Sequence, residues 1–466
     1  MIFTDLKFIA CLVPSVILFY CIPLQWRRYY LLLLSYLFYL TWSVPYSLLL
    51  FVLTLLVYLL AVAVDGASSA RSRRFAAIAA TGVLIAVLTA FKALSLPTFL
   101  TTSLVVPLGI SYYTFKLISY ALDVYWGKIR AERDFAALAL YAAFFPQIPA
   151  GPIQRAPDFL EQLKTRLALG LNAPLFDTGI GFILLGLLEK LVIADRIAPF
   201  IAQVDASLEL QSRLTILLST YCYTLQIFAD LSALTLIALG IGMLFGIQGP
   251  PNFNRPFAAV DIQEFWRRWH MSLTGWLGDY LFLPLRMAFR KWGKWGLSIS
   301  IVLNMAIIGV WHGLTSQYLA FGLIHGAYMV SSSLTSNWRN RFFKSQKGRG
   351  FYRRVWGTVV TFHLVSFAFV FFRASSASSA IQILRGIALP GSAAVGGIPF
   401  GAEVVRSALA ASCIALILGY GVFSRNLEDF LTQTHSRNLY LAYGVALFAI
   451  VLLGVVDGGQ FIYARF

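Results

Sequence analysis

Apolar runs of bilayer-crossing length recur along the chain, separated by short polar and basic stretches. The runs are Phe8 to Leu24, Tyr46 to Val64, Phe75 to Phe91, Val106 to Trp126, Leu297 to His312, Val355 to Phe372, Val404 to Phe423 and Leu439 to Val456. Each approaches the roughly 20 residues that about 30 Å of hydrocarbon demands. The pattern predicts an all-α polytopic integral membrane protein. The first run follows no basic segment and precedes no small-residue cleavage site, so it reads as a retained helix and not as a signal peptide.

Two segments do not fit a plain span. Phe135 to Ile153 is interrupted by Pro146, Pro149, Gly151 and Pro152, and such backbone is tolerated at membrane depth only inside protein or against a cavity. A re-entrant element is expected there. Leu214 to Ile247 is too long for one untilted crossing and reads as either one long tilted helix or two short ones. No internal repeat is visible, which weakens an inverted-repeat transporter reading. Ala388 to Gly401 reads as an external glycine-rich loop.

Composition agrees: 59% of the 466 residues are hydrophobic and 12% charged. The net charge of +17, from 37 basic against 20 acidic residues, would suggest nucleic acid in a soluble protein. Placement argues otherwise. The basic residues gather at Arg27 and Arg28, at Arg71, Arg73 and Arg74, at Lys128, Arg130 and Arg133, at Arg286 to Lys294, and at Arg339 to Arg354. That is the positive-inside pattern, and it assigns these stretches to the cytoplasm with the amino terminus outside. Cys11, Cys21, Cys222 and Cys413 all lie in apolar runs without paired spacing. They read as small buried hydrophobes, and neither a disulfide framework nor a metal site is indicated.

The charge-assigned loops around Arg290 and Arg339 bracket a two-helix hairpin. A rise of about 1.5 Å per residue carries His312 past the bilayer midplane, toward the outer side. An ionisable side chain at that depth is a functional-site hypothesis by default, although a buried histidine bonded to a backbone carbonyl is as common. Asn304, two helical turns earlier, can face the same cavity and orient the imidazole, or tie helices together. A second block, Arg255 to Leu285, mixes Phe265, Trp266, Trp269, Trp276 and Tyr280 with Asp261, Glu264, Arg267, Arg268, His270 and Asp279. This is interfacial or funnel-lining composition, and arginines beside tryptophans hold either phosphate groups of a substrate or lipid headgroups. His325 and His363 read as helix-packing hydrogen bonders, and His435 as a loop residue.

The ordered blocks PLGISYYTFKLISYALDVYWG (Pro107 to Gly127), FFPQIPAGPIQR (Phe144 to Arg155), QIFADLSALTLIALGIGMLFGI (Gln226 to Ile247), NFNRPF (Asn252 to Phe257), EFWRRWHMSL (Glu264 to Leu273) and GVWHG (Gly309 to Gly313) carry a resemblance. The chain resembles the membrane-bound O-acyltransferases, in particular the bacterial branch that O-acetylates alginate and other exported polysaccharides. The resemblance implies one membrane domain with about 10 to 12 transmembrane helices plus re-entrant and interfacial helices around a central tunnel. Within 1–466, the amino-terminal helices would occupy 1–126, the core 127–336, and the basic loop with the last helices 337–466.

The resemblance further implies that His312 is the essential base at the foot of the tunnel and that His270 is the second characteristic polar group. Imidazole can take a proton from an acceptor hydroxyl as it attacks a thioester and return it to the leaving thiolate. Asn304, Asp230, Ser232 and Trp311 are candidates for support or tunnel lining, with a buried structural hydrogen bond equally open for Asp230 and Ser232, and Arg155, Arg267 and Arg268 are candidates for the donor's phosphates. No bound cofactor or metal is expected. The donor substrate would be acetyl-CoA or another acyl thioester. Expected partners are the lipid bilayer, the acyl donor and a periplasmic or extracellular acyltransferase acting on polysaccharide, with no nucleic acid. The location would be a bacterial inner membrane. Acceptors on a lipid, a protein or a small molecule stay open, as do a transporter and a scaffold subunit. Gly278 before the Asp-Tyr pair, and LRMAFRKWG (Leu285 to Gly293) after it, depart from the family pattern near the donor side.

Overall fold

The computed structural model describes residues 3–94, 106–166, 170–344, 349–388, 437–455 and 461–462. The Val404 to Phe423 run, Cys413, His435 and all but the first residue of the Ala388 to Gly401 stretch lie outside them. The described residues are helical throughout, with no strand. An amino-terminal group holds α1 (Leu6–Cys21), α2 (Arg27–Leu40), α3 (Val44–Gly66) and α4 (Ala70–Leu94). The core follows as α5 (Ile110–Tyr125), α6 (Phe135–Ala143), α7 (Ala156–Thr165), α8 (Ala173–Leu188), α9 (Asp195–Ala206) and α10 (Arg213–Leu244). Then come three short helices, α11 (Ile262–Arg268), α12 (Met271–Leu277) and α13 (Leu283–Ala288). The last group is α14 (Gly293–His312), α15 (Ser316–Lys344), α16 (Arg349–Arg373), α17 (Ala377–Ala388) and α18 (Arg437–Leu453).

Five described segments are long and apolar enough to cross a membrane: Val44–Gly66, Ala70–Leu94, Arg213–Leu244, Arg290–His312 and Tyr352–Arg373, with Lys7–Cys21 and Leu439–Leu453 apolar but shorter. The polytopic all-helical architecture is therefore present. Many other elements, α5 among them, are too short to span and are packed inside the protein. Among the helices that fall outside the apolar runs, two show how such elements are packed. In α2, Arg27 is buried under the rings of Phe19 and Tyr20 at 5.0 and 5.2 Å, so it is a packed cation and not a loop charge. The other is α8, which packs along α10 through glycines. A Cβ on Gly240 would lie 2.5 Å from the Gly179 carbonyl, so only glycine permits this approach. Cys11 and Cys21 are exposed, whereas Cys222 is buried as expected.

The ambiguity at Leu214 to Ile247 resolves as one helix, the 32-residue α10, buried from Thr215 almost continuously to its end. The proline-broken segment leaves α6 at Phe144 and resumes as α7 at Ala156, with its residues buried. Its backbone is satisfied by side chains: Phe145 N–H donates to Ser35 Oγ at 3.2 Å and Ile153 N–H to Ser272 Oγ at 3.0 Å. Lys116 donates to Gln147 at 2.8 Å, Gln147 to Gln154 at 2.7 Å, and Gln154 to the Gln248 carbonyl at 2.9 Å. Irregular backbone is thus housed inside protein, as a low-dielectric setting requires. The Arg255 to Leu285 block is a string of short helices wedged between α5, α10, α14, α15 and α16 rather than one surface helix.

Candidate functional site

His312 ends α14 and is buried, as is His270 at the start of α12. Tyr112 on α5 stands between the two imidazole-bearing elements, stacked on His270 at 6.5 Å and edge-on to Trp311 at 6.3 Å. Around His312 itself lie Trp311 at 4.5 Å, Phe372 at 4.8 Å, Phe321 at 6.2 Å and Tyr318 at 6.4 Å between ring centres. Five elements, α5, α12, α14, α15 and α16, therefore bring two imidazoles into one aromatic enclosure.

His270 sits in the left-handed region, φ 43° and ψ 53°, which costs a non-glycine residue about 1 kcal/mol or more. Neighbouring hydrogen bonds hold it there. Met271 N–H donates to the Asn252 carbonyl at 2.8 Å, and Asn254 N–H to the Arg268 carbonyl at 3.0 Å. The Asn252 side chain accepts from the Ser272 hydroxyl at 2.5 Å and donates to Thr235 at 3.0 Å. Asn252 lies in the quoted NFNRPF block but was not singled out; its role depends on a turn that only the fold reveals. Lys92, likewise unanticipated, ends α4 and donates to the Trp311 carbonyl, tying the last turn of α14 in place.

The other candidates divide. Trp311 belongs to the enclosure. Ser232 lines a small cavity of about 180 Å³ with Thr235 and Asn252, behind the His270 turn. Asp230 is not brought to the histidines. It lies in a buried cluster, where Lys190 Nζ meets Asp230 at 3.0 Å and Asp195 at 2.9 Å, and Ile462 N–H donates to Asp230 at 2.6 Å. Asn304 is half-buried on α14, and no contact joins it to His312 among the described residues. His325 accepts from the Trp266 indole at 3.3 Å, a packing contact between α15 and α11.

Arg155 lies toward the opposite end of the bundle, ion-paired with Asp279 at 2.9 Å and 4.5 Å from the Tyr280 ring centre. Lys128 lies over Trp126 at 4.6 Å, and Trp126 stacks on Tyr280 at 5.5 Å and 6°. Burial, and the hydrogen bond it donates to Asp123, push the Tyr280 phenol above its ordinary pKa. From this cationic aromatic cluster a ladder of rings leads inward: Tyr280 to Trp276 at 5.2 Å, Trp276 to Phe115 at 4.4 Å, Phe115 to Trp311 at 5.6 Å, and Trp311 to His312. Arg268 is paired with Glu264 at 2.5 Å and Arg267 is exposed; neither touches Arg155 among the described residues. No cluster of metal-ligating side chains exists among the described residues.

The profile of the membrane-bound O-acyltransferase (MBOAT) family matches residues 129–376, which contain both His270 and His312. Among curated proteins, the chain is 32% identical to the "Probable alginate O-acetylase AlgI" of Pseudomonas fluorescens over 381 residues, 81% of this chain and 73% of the relative. It is 33% identical to the teichoic acid D-alanyltransferase of Bacillus subtilis over 270 residues, 57% of this chain and 68% of the relative. It is 30% identical to the peptidoglycan O-acetyltransferase of Helicobacter pylori over 316 residues, 62% and 58% of the two chains.

Proposed function

From the premise that this chain belongs to the membrane-bound O-acyltransferase family, and is an acyltransferase, we propose that it moves an acetyl group from a cytoplasmic thioester, acetyl-CoA or an equivalent, toward hydroxyls of an exported polysaccharide. The names of its relatives, which act on alginate, teichoic acid and peptidoglycan, support a cell-envelope polymer as the destination. A periplasmic or extracellular transferase completes the transfer, and the enzyme resides in a bacterial inner membrane.

The observation that carries this reading is the aromatic enclosure around His312 and His270, joined by a ladder of rings to the Arg155 and Lys128 end of the bundle. His312 acts as general base. It takes the proton of the acceptor hydroxyl as that oxygen attacks the thioester carbonyl, and the proton then passes to the departing thiolate. His270, fixed in its turn by Asn252, polarises the acyl carbonyl or orients His312. Arg155 and Lys128 receive the anionic part of the donor, and the rings exclude water along the thioester arm, which protects it from hydrolysis. The basic stretches around Arg290 and Arg339 support a cytoplasmic face for that end.

The test is vectorial. Protein is reconstituted in sealed liposomes in one orientation, with radiolabelled acetyl-CoA on the Arg155 side and a polysaccharide acceptor together with the partner transferase enclosed on the other. The reading predicts acceptor labelling by wild type and none by His312→Ala of matching size-exclusion profile. Equal labelling by both would end the assignment of His312. Labelled acetyl-CoA itself crossing intact would favour a transporter.

A further inference from the structure

A second, polar cavity opens at the end of the bundle that carries His312. It has a volume of about 1170 Å³ and lies between the α9 to α10 connection and the α16 to α17 turn. Its composition differs from that of the histidine enclosure: Ser207, Gln211, Ser375 and Gln382 contribute hydroxyls and amides, and Arg213, Arg373 and Arg385 contribute guanidiniums. Two observations connect it to the histidine enclosure. Phe372, whose ring packs on His312 at 4.8 Å, is followed directly by the cavity-lining residues Arg373, Ala374 and Ser375. Gln317, five residues after His312, donates to the Ser375 carbonyl at 3.1 Å. The cavity and the enclosure therefore share one wall.

The charges in the cavity are unevenly engaged. Arg373, with its side chain 4% exposed, donates Nε–H to Asp205 at 2.8 Å and pairs with it a second time, while its Nη1 has no partner among the described residues. Arg213 and Arg385 are exposed and enter no ion pair or hydrogen bond among the described residues. With Asp205 paired internally, Glu209 is the one acidic lining residue set against those two guanidiniums. A guanidinium fork matches carboxylate and phosphate oxygens, and amide and hydroxyl side chains match the vicinal hydroxyls of a polyol.

We propose that this cavity binds an anionic, hydroxyl-bearing polymer segment, with Arg213 and Arg385 engaging its acidic groups, and holds it at the outer side of the wall that Phe372 shares with His312, where the partner transferase completes the transfer. The function of the site rests on the acyltransfer reading; the binding does not. The volume exceeds that of ordinary small-molecule sites and suits a few linked polyol units.

The test measures binding to wild-type protein in nanodiscs by fluorescence anisotropy, using end-labelled oligogalacturonate, an oligomeric glycerol phosphate and a neutral glucan of equal length. The proposal expects both anionic oligomers to bind over the glucan, with affinity falling as salt rises. The tighter of the two identifies the source of the acidic groups. Arg213→Gln with Arg385→Gln, checked for folding by size exclusion, should weaken binding by about tenfold or more. A glucan that binds equally well, or a folded double variant with unchanged affinity, overturns the proposal, as does a wild type that binds none of the three. Because the isotherm needs no thioester, its failure is separable from failure of the acyltransfer reading.

Discussion

Two of the polar centres buried among the described residues are built oppositely. In the first, Lys190 is held between Asp195 and Asp230 at 2.9 and 3.0 Å, the Ile462 amide caps the second carboxylate, and the Phe461 ring lies 4.6 Å from the ammonium. In the second, His270 and His312 are surrounded by Tyr112, Trp311, Phe372, Phe321 and Tyr318. The first centre offsets its carboxylates with a shared ammonium and a backbone amide, as a low-dielectric interior favours, and so ties α10 to the segments packed on it. The second uses groups that are neutral when deprotonated, so they need no counter-ion and keep a lone pair for proton transfer. Burial alone does not mark chemistry; the distinction lies in how the charge problem is solved.

Substitutions can break this contrast, and the largest effect belongs to His312. His312→Ala should lower thioester turnover by about 10³-fold or more while the protein elutes as wild type on size exclusion. Asn252→Ala should act through the His270 turn, reducing kcat by about tenfold to a hundredfold with little change in KM for the donor. A merely structural Asn252 would instead lower the yield of folded protein and leave kcat per folded molecule intact. Lys190→Met reverses the pattern. Leaving two carboxylates buried together should cost about 3–5 kcal/mol and lower the thermal midpoint, while turnover per folded molecule stays near wild type. Gly240→Leu, which presses on the Gly179 carbonyl, should destabilise by about 1–3 kcal/mol, read by the same thermal scan. The smallest effect is expected from Arg155→Gln at the far end of the ring ladder, a several-fold rise in donor KM with kcat retained.

How much of this was legible beforehand follows from the same contrast. The long spans could be read because a run of apolar residues is a local signal: α3, α4, α14 and α16 coincide with predicted runs. Among the elements missed, α2 carries a buried arginine and α8 is short and glycine-bearing, so neither presents a spanning run. The Leu214 to Ile247 segment became one helix because α8 and its neighbours cover it along its whole length, which no property of that segment alone announces. His312 stands out as a candidate from its depth and from the resemblance. His270 came from resemblance, and the strained turn that presents it is set by Asn252, eighteen positions earlier in the sequence. Asp230 stayed open between a tunnel wall and a structural pairing because its lysine lies 40 residues upstream, and a lone carboxylate in an apolar helix looks the same in either role. Lys92 reaches the carbonyl of Trp311 across 219 residues, a distance at which sequence pattern carries no signal.

If the imidazole centre performs the chemistry and the carboxylate centre holds the fold, thioester consumption per folded molecule, measured side by side in nanodiscs for wild type, His312→Ala and Lys190→Met, separates the two. The expected result is a folded, inert His312→Ala and a less stable Lys190→Met that turns over near the wild-type rate. A His312→Ala protein consuming thioester at the wild-type rate, or a folded Lys190→Met protein that is inert, would contradict it.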